Sequence, residues 1–304
     1  MSVKELHRWV GDVESFMATY WRRQPVVFDT APPVPMNLDD LDAAMAGGLL
    51  RTPYVEMAKS DEKVPVDAYT DSRGVLFSKF HGFADGDAVV RQLEEGATLL
   101  LRNTEHWHRP TAELVARLED ELGRCVQAFF FVTPPGSQGL TLHRDDADVF
   151  LLQIAGSKAW TIRSGPTGPN WNIGPVTGVP GPIVLDSIVT EGQVLYIPRG
   201  YAHSAIGARG LSVHLSLTVR EVGGAELARA VTPLLLQGAR LPTRPLTEDE
   251  LLTAAATVLD TARERLAAAE PKDLVEFARK AGRDQSVNHT DPSSVAHFAT
   301  QLLK

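Results

Sequence analysis

The 304-residue sequence contains a single cysteine, Cys125, so it can hold neither an intramolecular disulfide framework nor a cysteine-rich zinc module. Basic residues are in deficit: 30 Lys and Arg stand against 38 Asp and Glu, and the formal net charge of −8 argues against nonspecific binding to nucleic acid or anionic membranes. No stretch approaches the roughly 18 apolar residues of a membrane span, and the opening MSVKELHRWVGDVESFM lacks the apolar core of a secretory signal. Internal repeats and low-complexity tracts are missing as well. These absences lead us to expect a cytoplasmic protein that binds neither nucleic acid nor membrane. What is present is a hydrophobic fraction of 43%, enough for a substantial core.

The first hundred residues are mixed in character. Val13 to Trp21 has helical spacing, QPVVFD reads as extended, and LDDLDAAMAGG reads as a short helix stopped by glycines. A further helix is expected over Asp87 to Glu95, followed by the apolar run TLLLRN. Residues 111–123 place Leu114, Val115, Leu118 and Leu122 at helical intervals and end in Gly123. From Val126 the texture changes to six short β-rich runs broken by Gly and Pro, VQAFFFV, DVFLLQIA, AWTIR, PIVLD, QVLYIP and LSVHLSLTV, which indicate an antiparallel sandwich or barrel. Between Ser164 and Gly181 a stretch rich in Gly, Pro and Asn reads as a long loop at the barrel mouth that could cover a site.

After about Glu221 helical patterning returns in AELARAVTPLLLQ, EDELLTAAATVLDTARERLAAA and KDLVEFARKAG. In the second of these Leu251, Leu252, Ala255, Val258, Leu259 and Ala262 share one face. The expected fold class is therefore mainly β with helices, with a barrel core, a mixed N-terminal region and a C-terminal helical bundle, divided into residues 1–222 and 223–304. Packing of the bundle on the barrel and homodimerisation through its helices both stay open.

His143 and Asp145 stand two residues apart, and side chains at i and i+2 of an extended chain project to the same face, so the two can aim at one point. A second histidine, His203, follows Pro198, Arg199 and Gly200, a turn signature after the apolar strand QVLYI, which places it at the start of the next strand near the same rim. Two imidazoles and one carboxylate on one face of an octahedron leave three positions open, the arrangement of Fe(II) oxygenases. Spacing alone leaves a solvated surface pair and a metal pair both open. Lys158 follows the turn AGS; inside the barrel it would need an anionic partner such as a co-substrate carboxylate, and a surface lysine in a tight turn is the alternative. His106 and His108 flank Trp107 before a helix start, with no third ligand at a sensible position, and are read as structural. His214, alternating with Val213 and Leu215 on a late strand, could touch the site, and a buried, hydrogen-bonded histidine is the favoured reading.

The segment VTPPGSQGLTLHRDDADVFLLQIAGSKAW, followed by GQVLYIPRGYAHSA, resembles the JmjC-domain oxygenases, and most closely their cupin-like, protein-hydroxylating ribosomal-oxygenase branch. Upstream, TYWRRQPVVFD resembles the helix and first extended segment that open these proteins, so the likeness covers residues 10–220. The resemblance implies a double-stranded β-helix, a jelly-roll barrel of the cupin type, holding Fe(II) and 2-oxoglutarate. It implies that His143, Asp145 and His203 are the catalytic iron ligands, that Lys158 pairs with the distal carboxylate of 2-oxoglutarate, and that Thr218 is a polar residue lining the site. The activity it implies is hydroxylation of an amino-acid side chain in a protein or peptide.

The sequence departs from the family pattern in two places. Several relatives carry a tyrosine or asparagine on the strand that here reads Phe129, Phe130 and Phe131, none of which can hydrogen-bond through its side chain, so a second anchor for 2-oxoglutarate is not evident. Ribosomal oxygenases also usually continue into a winged-helix domain, whereas the tail here has room for the helices only. Hydroxylation of a free amino acid or small metabolite is one alternative, and a catalytically silent cupin-like binding module is another. The intact His, Asp, His set and Lys158 argue against the silent module.

Overall fold

In the computed structural model, which describes residues 4–285 except 61, helices dominate before Val126, strands from Val126 to Arg220, and helices again beyond it. The N-terminal part holds helices α1 (Glu5–Val10), α2 (Val13–Thr19), α3 (Leu38–Ala46), α4 (Gly86–Glu94) and α5 (Arg109–Leu122). Interleaved with them are β1 (Val26–Phe28), β2 (Val55–Lys59), β3 (Glu62–Lys63), β4 (Thr70–Val75), β5 (Ser78–Ala84) and β6 (Thr98–Arg102). The β-rich part supplies β7 (Val126–Thr133), β8 (His143–Arg144), β9 (Ala147–Ala155), β10 (Ser157–Arg163), β11 (Gly174–Pro175), β12 (Ile183–Thr190), β13 (Val194–Ile197), β14 (His203–Gly207) and β15 (Ser212–Arg220). Helices α6 (Gly224–Leu235), α7 (Glu248–Ala268) and α8 (Pro271–Gln285) follow.

The strands form an eight-stranded sheet in the order β1-β13-β9-β15-β7-β6-β2-β3 and a five-stranded sheet in the order β11-β8-β14-β10-β12, while β4 and β5 make a separate hairpin. Pairing is antiparallel, as in β15 with β7 and β9, and β10 with β12 and β14. This is the jelly-roll core, and the six β-rich runs of the sequence are its β7, β9, β10, β12, β13 and β15. One expectation is corrected: the segment between Ser164 and Gly181 is not loop throughout, because Gly174 and Pro175 pair with Arg144 and His143.

Strand alternation distributes side chains between two environments. On one face of the large sheet, Phe150 and Leu152 of β9, Phe130 and Val132 of β7 and Leu215 and Leu217 of β15 join a core with Leu6, Trp9 and Phe16 of the N-terminal helices and Leu114 and Leu118 of α5. On the other face, Val149 and Leu151 of β9 pack in a smaller cluster with Trp160, Ile162, Leu195 and Ile197. Covered on both faces, β9 reads as a nearly unbroken apolar run. Aromatic packing closes the helical layer: the ring of Phe16 lies 5.0 to 6.0 Å from those of Trp21, Phe28, Phe150 and Tyr196. Helix starts follow local chemistry, with Asp12 accepting from Ser15 N at 3.1 Å before α2 and Asp85 from Ala88 N at 2.9 Å before α4.

Among the described residues the chain divides into two compact units, one holding the residues up to Leu122 with Val126–Arg220, the other Gly123–Cys125 with residues 221–285. Within the second, Glu221 accepts from Arg124 Nε at 2.9 Å and from Arg279 Nη2 at 2.7 Å. Its helix α7 begins at a capping box formed by Thr247 and Glu250. Leu251, Leu252, Leu259 and Leu266 of that helix are exposed. Residues 286–304 of the expected helical tail lie outside the described residues.

Truncating the centre of the aromatic cluster, Phe16→Ala, is expected to lower the free energy of unfolding by about 3–5 kcal/mol in chemical denaturation. A loss below about 1 kcal/mol, the range of ordinary surface changes, would show that the cluster does not hold the helical layer to the sheet.

Candidate metal centre and adjoining pocket

Strand β8 is only two residues long, and its His143 lies directly across from His203, the first residue of β14. Opposed residues on neighbouring strands share a face, so two imidazoles far apart in sequence come to rest with ring centroids 4.3 Å apart. Asp145 turns its carboxylate to the same point, with Oδ2 at 3.9 Å from His143 Nε2 and 3.5 Å from His203 Nε2. The other nitrogen of each ring faces a backbone carbonyl: His143 Nδ1 is 2.7 Å from Thr141 O, and His203 Nδ1 is 3.0 Å from Tyr201 O.

A carbonyl can only accept, so each Nδ1 carries a proton and donates it, which leaves each Nε2 as an acceptor. Two neutral imidazoles and a carboxylate converging on one point repel each other unless a proton or a metal cation sits among them. Histidines that ligate metals have their tautomer fixed in this way, by donation from the second ring nitrogen. The three ligand atoms lie within 4.8 Å of one another, and no other such group of His, Cys, Asp or Glu occurs among the described residues. Burial would raise the pKa of Asp145, but the contact with His203, the charge of His143 and that of Arg220 outweigh it and hold the group down to about 2. It is therefore ionised at neutral pH, as a metal ligand must be.

A second carboxylate holds this end of the barrel in register. Asp148 is 0% exposed and accepts from Tyr196 Oη at 2.7 Å, from Arg199 N at 3.2 Å and from Arg22 Nε at 3.2 Å. Arg199 opens the turn that leads to His203, and its Nε also donates to Asp146 Oδ1 at 2.6 Å. The next residue, Gly200, donates its N–H to Asp145 O at 3.0 Å, which ties the turn to the segment between β8 and β9 that bears the carboxylate. Gly200 has φ +80°, and a Cβ there would press on Pro166 and Trp171, so the turn requires glycine.

Beside the triad the barrel encloses a cavity of about 380 Å³ whose lining includes His143, Asp145, His203, Lys158, Thr218 and His214. Lys158, 5% exposed, follows a turn at Gly156, where φ is +60° and a Cβ would collide with the carbonyl oxygen of Leu211. Its Nζ donates to Thr133 Oγ1 at 3.0 Å and lies 5.8 and 5.7 Å from the ring centroids of Phe131 and Trp160. Thr133 in turn accepts from Thr98 Oγ1 at 3.2 Å. No carboxylate among the described residues pairs with this ammonium. Burial pulls its pKa down to about 7.

Thr218 lines the same cavity, its hydroxyl 3.4 Å from Gln127 O. The phenylalanine run is split by alternation: Phe129 and Phe131 face the cavity, and Phe130 belongs to the opposite core. His214 differs from the expected hydrogen-bonded core histidine. It is 1% exposed, lines the cavity, and its Nδ1 has no hydrogen-bond partner among the described residues. His106 and His108 turn to other groups, with Nδ1 atoms 3.4 Å from Tyr54 Oη and 2.8 Å from Thr111 Oγ1. Of residues 164–181, Ile173 and Gly174 line the cavity.

Sequence reasoning missed Thr133, Trp160 and Asp148. Thr133 was within reach, since it shares its face of β7 with Phe129 and Phe131, and so was Asp148, a charge at the head of a buried apolar strand. Nothing in the sequence marks Trp160 as a pocket wall.

A cupin-like barrel with a His, Asp, His cluster beside an interior cavity defines the class of protein. Residues 106–227 match the JmjC domain family, and the chain resembles the ribosomal-oxygenase branch of that family. It is 28% identical over 231 residues to the bifunctional lysine-specific demethylase and histidyl-hydroxylase NO66 of Aedes aegypti, covering 71% of this chain and 35% of that protein. With ribosomal oxygenase 2 of Mus musculus it shares 27% identity over 222 residues, 68% of this chain and 44% of that one. The chain thus spans less than half the length of these relatives. Among solved structures it resembles the Escherichia coli ribosomal oxygenase YcfD in complex with cobalt and 2-oxoglutarate, with a TM-score of 0.54 and 18% identity, covering 87% of this chain and 69% of that one. At that identity the likeness is one of fold.

The buried ammonium makes stability depend on pH. An unfolded Lys158 titrates near 10.5 and the folded one near 7, so below pH 7 both states are charged and the full cost of burying the charge is present. Between pH 7 and 10.5 the unfolded chain holds a proton that the folded protein has released, and stability rises with pH. Lys158→Met is expected to stabilise the free protein most below pH 7, with an advantage over wild type that shrinks towards pH 10 in parallel urea titrations. An advantage independent of pH would mean that the ammonium is not desolvated.

Proposed function

We propose that this protein is an Fe(II)- and 2-oxoglutarate-dependent dioxygenase that hydroxylates an amino-acid side chain within a protein or peptide. The observation that carries the reading is the convergence of His143 Nε2, His203 Nε2 and the Asp145 carboxylate on one point, with both Nδ1 protons committed to carbonyl groups. Two imidazoles and one carboxylate suit ferrous iron and leave coordination positions for small oxygen ligands. The donor chemistry of the cavity fits the co-substrate equally well, because Lys158 offers a buried ammonium that has Thr133 but no anion beside it.

When bound, iron and 2-oxoglutarate would supply the oxidative decarboxylation that yields succinate and carbon dioxide and drives hydroxylation of a nearby C–H bond. The residues of this chain do the positioning. His143, Asp145 and His203 would hold the metal, and Lys158 with Thr133 would take the distal carboxylate of the co-substrate. Phe129, Phe131 and Trp160 present apolar faces to the cavity, which limits water around the reacting groups. Thr218, which stands on β15 and lines the cavity, would line the co-substrate site. Similarity to proteins named ribosomal oxygenase and histidyl-hydroxylase supports a protein side chain as the substrate over a free metabolite.

Among the described residues no helix is long and apolar enough to cross a membrane. We place the protein in the cytoplasm, a reading supported by its single cysteine, which excludes an intramolecular disulfide. We further place a homodimer contact on α7, because Leu251, Leu252, Leu259 and Leu266 are exposed on that helix. In sedimentation velocity the wild type should run as a dimer and Leu252→Glu combined with Leu259→Glu as a monomer. A wild type that is monomeric at every concentration would refute this placement.

With Fe(II), ascorbate and oxygen, the purified protein should form succinate from 2-oxoglutarate, faster in the presence of a substrate-containing cell extract. His143→Ala or His203→Ala should reduce that rate by more than about 100-fold, since each removes a metal ligand outright where even loss of a supporting partner costs 10- to 100-fold. Succinate formation by either variant at the wild-type rate, or none by the wild type with extract present, would rule the oxygenase out. Mass spectrometry of the extract proteins should show a gain of one oxygen on a side chain.

A further inference from the structure

His214 takes no part in the triad, and the Nδ1 of its buried ring has no hydrogen-bond partner among the described residues. A buried polar atom without a partner is costly and calls for an explanation. The surroundings of the ring supply one. His214 lies opposite Phe131 in the β15–β7 register, and the two rings stack with centroids 4.7 Å apart and planes 9° apart. Trp160 packs edge-on against the imidazole at 5.8 Å, and its indole Nε1 is likewise buried without a partner. Both Phe131 and Trp160 lie within 6 Å of Lys158 Nζ, so the imidazole, the indole, the ammonium and the Thr133 hydroxyl gather at one end of the cavity.

Three of these four groups carry N–H donors and none carries a negative charge, which is the composition of a carboxylate receptor. Burial, and then the charge of Lys158, hold the pKa of His214 well below that of an ordinary histidine. The ring is therefore neutral at physiological pH, offering one N–H while Lys158 supplies the charge.

We propose that His214 is the second anchor of the co-substrate, donating an imidazole N–H to the distal carboxylate of 2-oxoglutarate beside Lys158 and Thr133. It takes the place of the polar side chain that Phe129 and Phe131 do not provide on β7. The assignment rests on the oxygenase reading above and adds to it a residue on a different strand, β15 rather than β7.

The test is calorimetric, with the anaerobic Fe(II)-loaded protein titrated with 2-oxoglutarate and, separately, with 2-oxobutyrate, which keeps the chelating end and lacks the distal carboxylate. His214→Phe preserves the stacking on Phe131 and removes the donor. It should weaken 2-oxoglutarate binding roughly 10- to 100-fold, as expected for one hydrogen bond to a charged group, and leave 2-oxobutyrate and Fe(II) affinities unchanged. An unchanged affinity for 2-oxoglutarate overturns the assignment, and so does an equal loss for both oxoacids, which marks a merely structural role. Should His214→Phe fail to fold, His214→Leu carries the same comparison. If the wild type binds neither oxoacid, the oxygenase reading falls and the anchor with it; if it binds 2-oxoglutarate and the variant binds equally, the anchor alone falls.

Discussion

Taking the carboxylate of Asp148 out of water carries a desolvation cost that attraction to one cation often fails to recover. Here the carboxylate is met by three donors from separate parts of the chain: the guanidinium of Arg22, the hydroxyl of Tyr196 and the backbone amide of Arg199. The N-terminal segment, β13 and the turn before β14 are thereby fixed to the start of β9. Because Asp145 lies three residues before Asp148 and His203 lies four residues after Arg199, the same contact sets the separation of two members of the triad. Loss of any one donor would leave the charge under-compensated, so the arrangement is all-or-none in character.

Around that fixed point the barrel separates two kinds of interior. One face of the large sheet is sealed by N-terminal helices and the aromatic cluster around Phe16, and it carries the bulk of the apolar burial. The other face can then tolerate polar groups, because the stability of the sheet does not depend on it alone. Thr98, His214, Ser216 and Thr218 of that sheet line the cavity, with Lys158 of the smaller sheet in the same lining. Lys158 is the clearest instance: its charge is disfavoured in the free protein and is suited to receive an anion. This is the usual relation between a binding site and the stability it forgoes.

The proposed site combines a metal end and an anion end, and the two are built differently. At the metal end the polar atoms are held by backbone carbonyls and by cross-strand pairing of His143 with His203, so their directions are set before any ligand arrives. At the anion end the ammonium, the imidazole and the indole are held by aromatic stacking and strand register, which fixes their positions while leaving donors free.

The sequence by itself determined the β-rich run after Val126, the helices before it and the spacing of His143 and Asp145, because periodicity and i, i+2 geometry are local properties of the chain. The hairpin of β4 and β5 was not legible, since its strands carry few apolar residues and exist through their pairing with each other. The strand pairing inside residues 164–181 was hidden for a similar reason, as Gly174 and Pro175 become a strand only against β8. Only the tertiary structure decided that His203 faces His143, that Lys158 points inward to Thr133, and that His214 enters the pocket instead of the core. Each of these depends on which strands neighbour one another and in what register, and a one-residue slip would turn the same side chains to the opposite face.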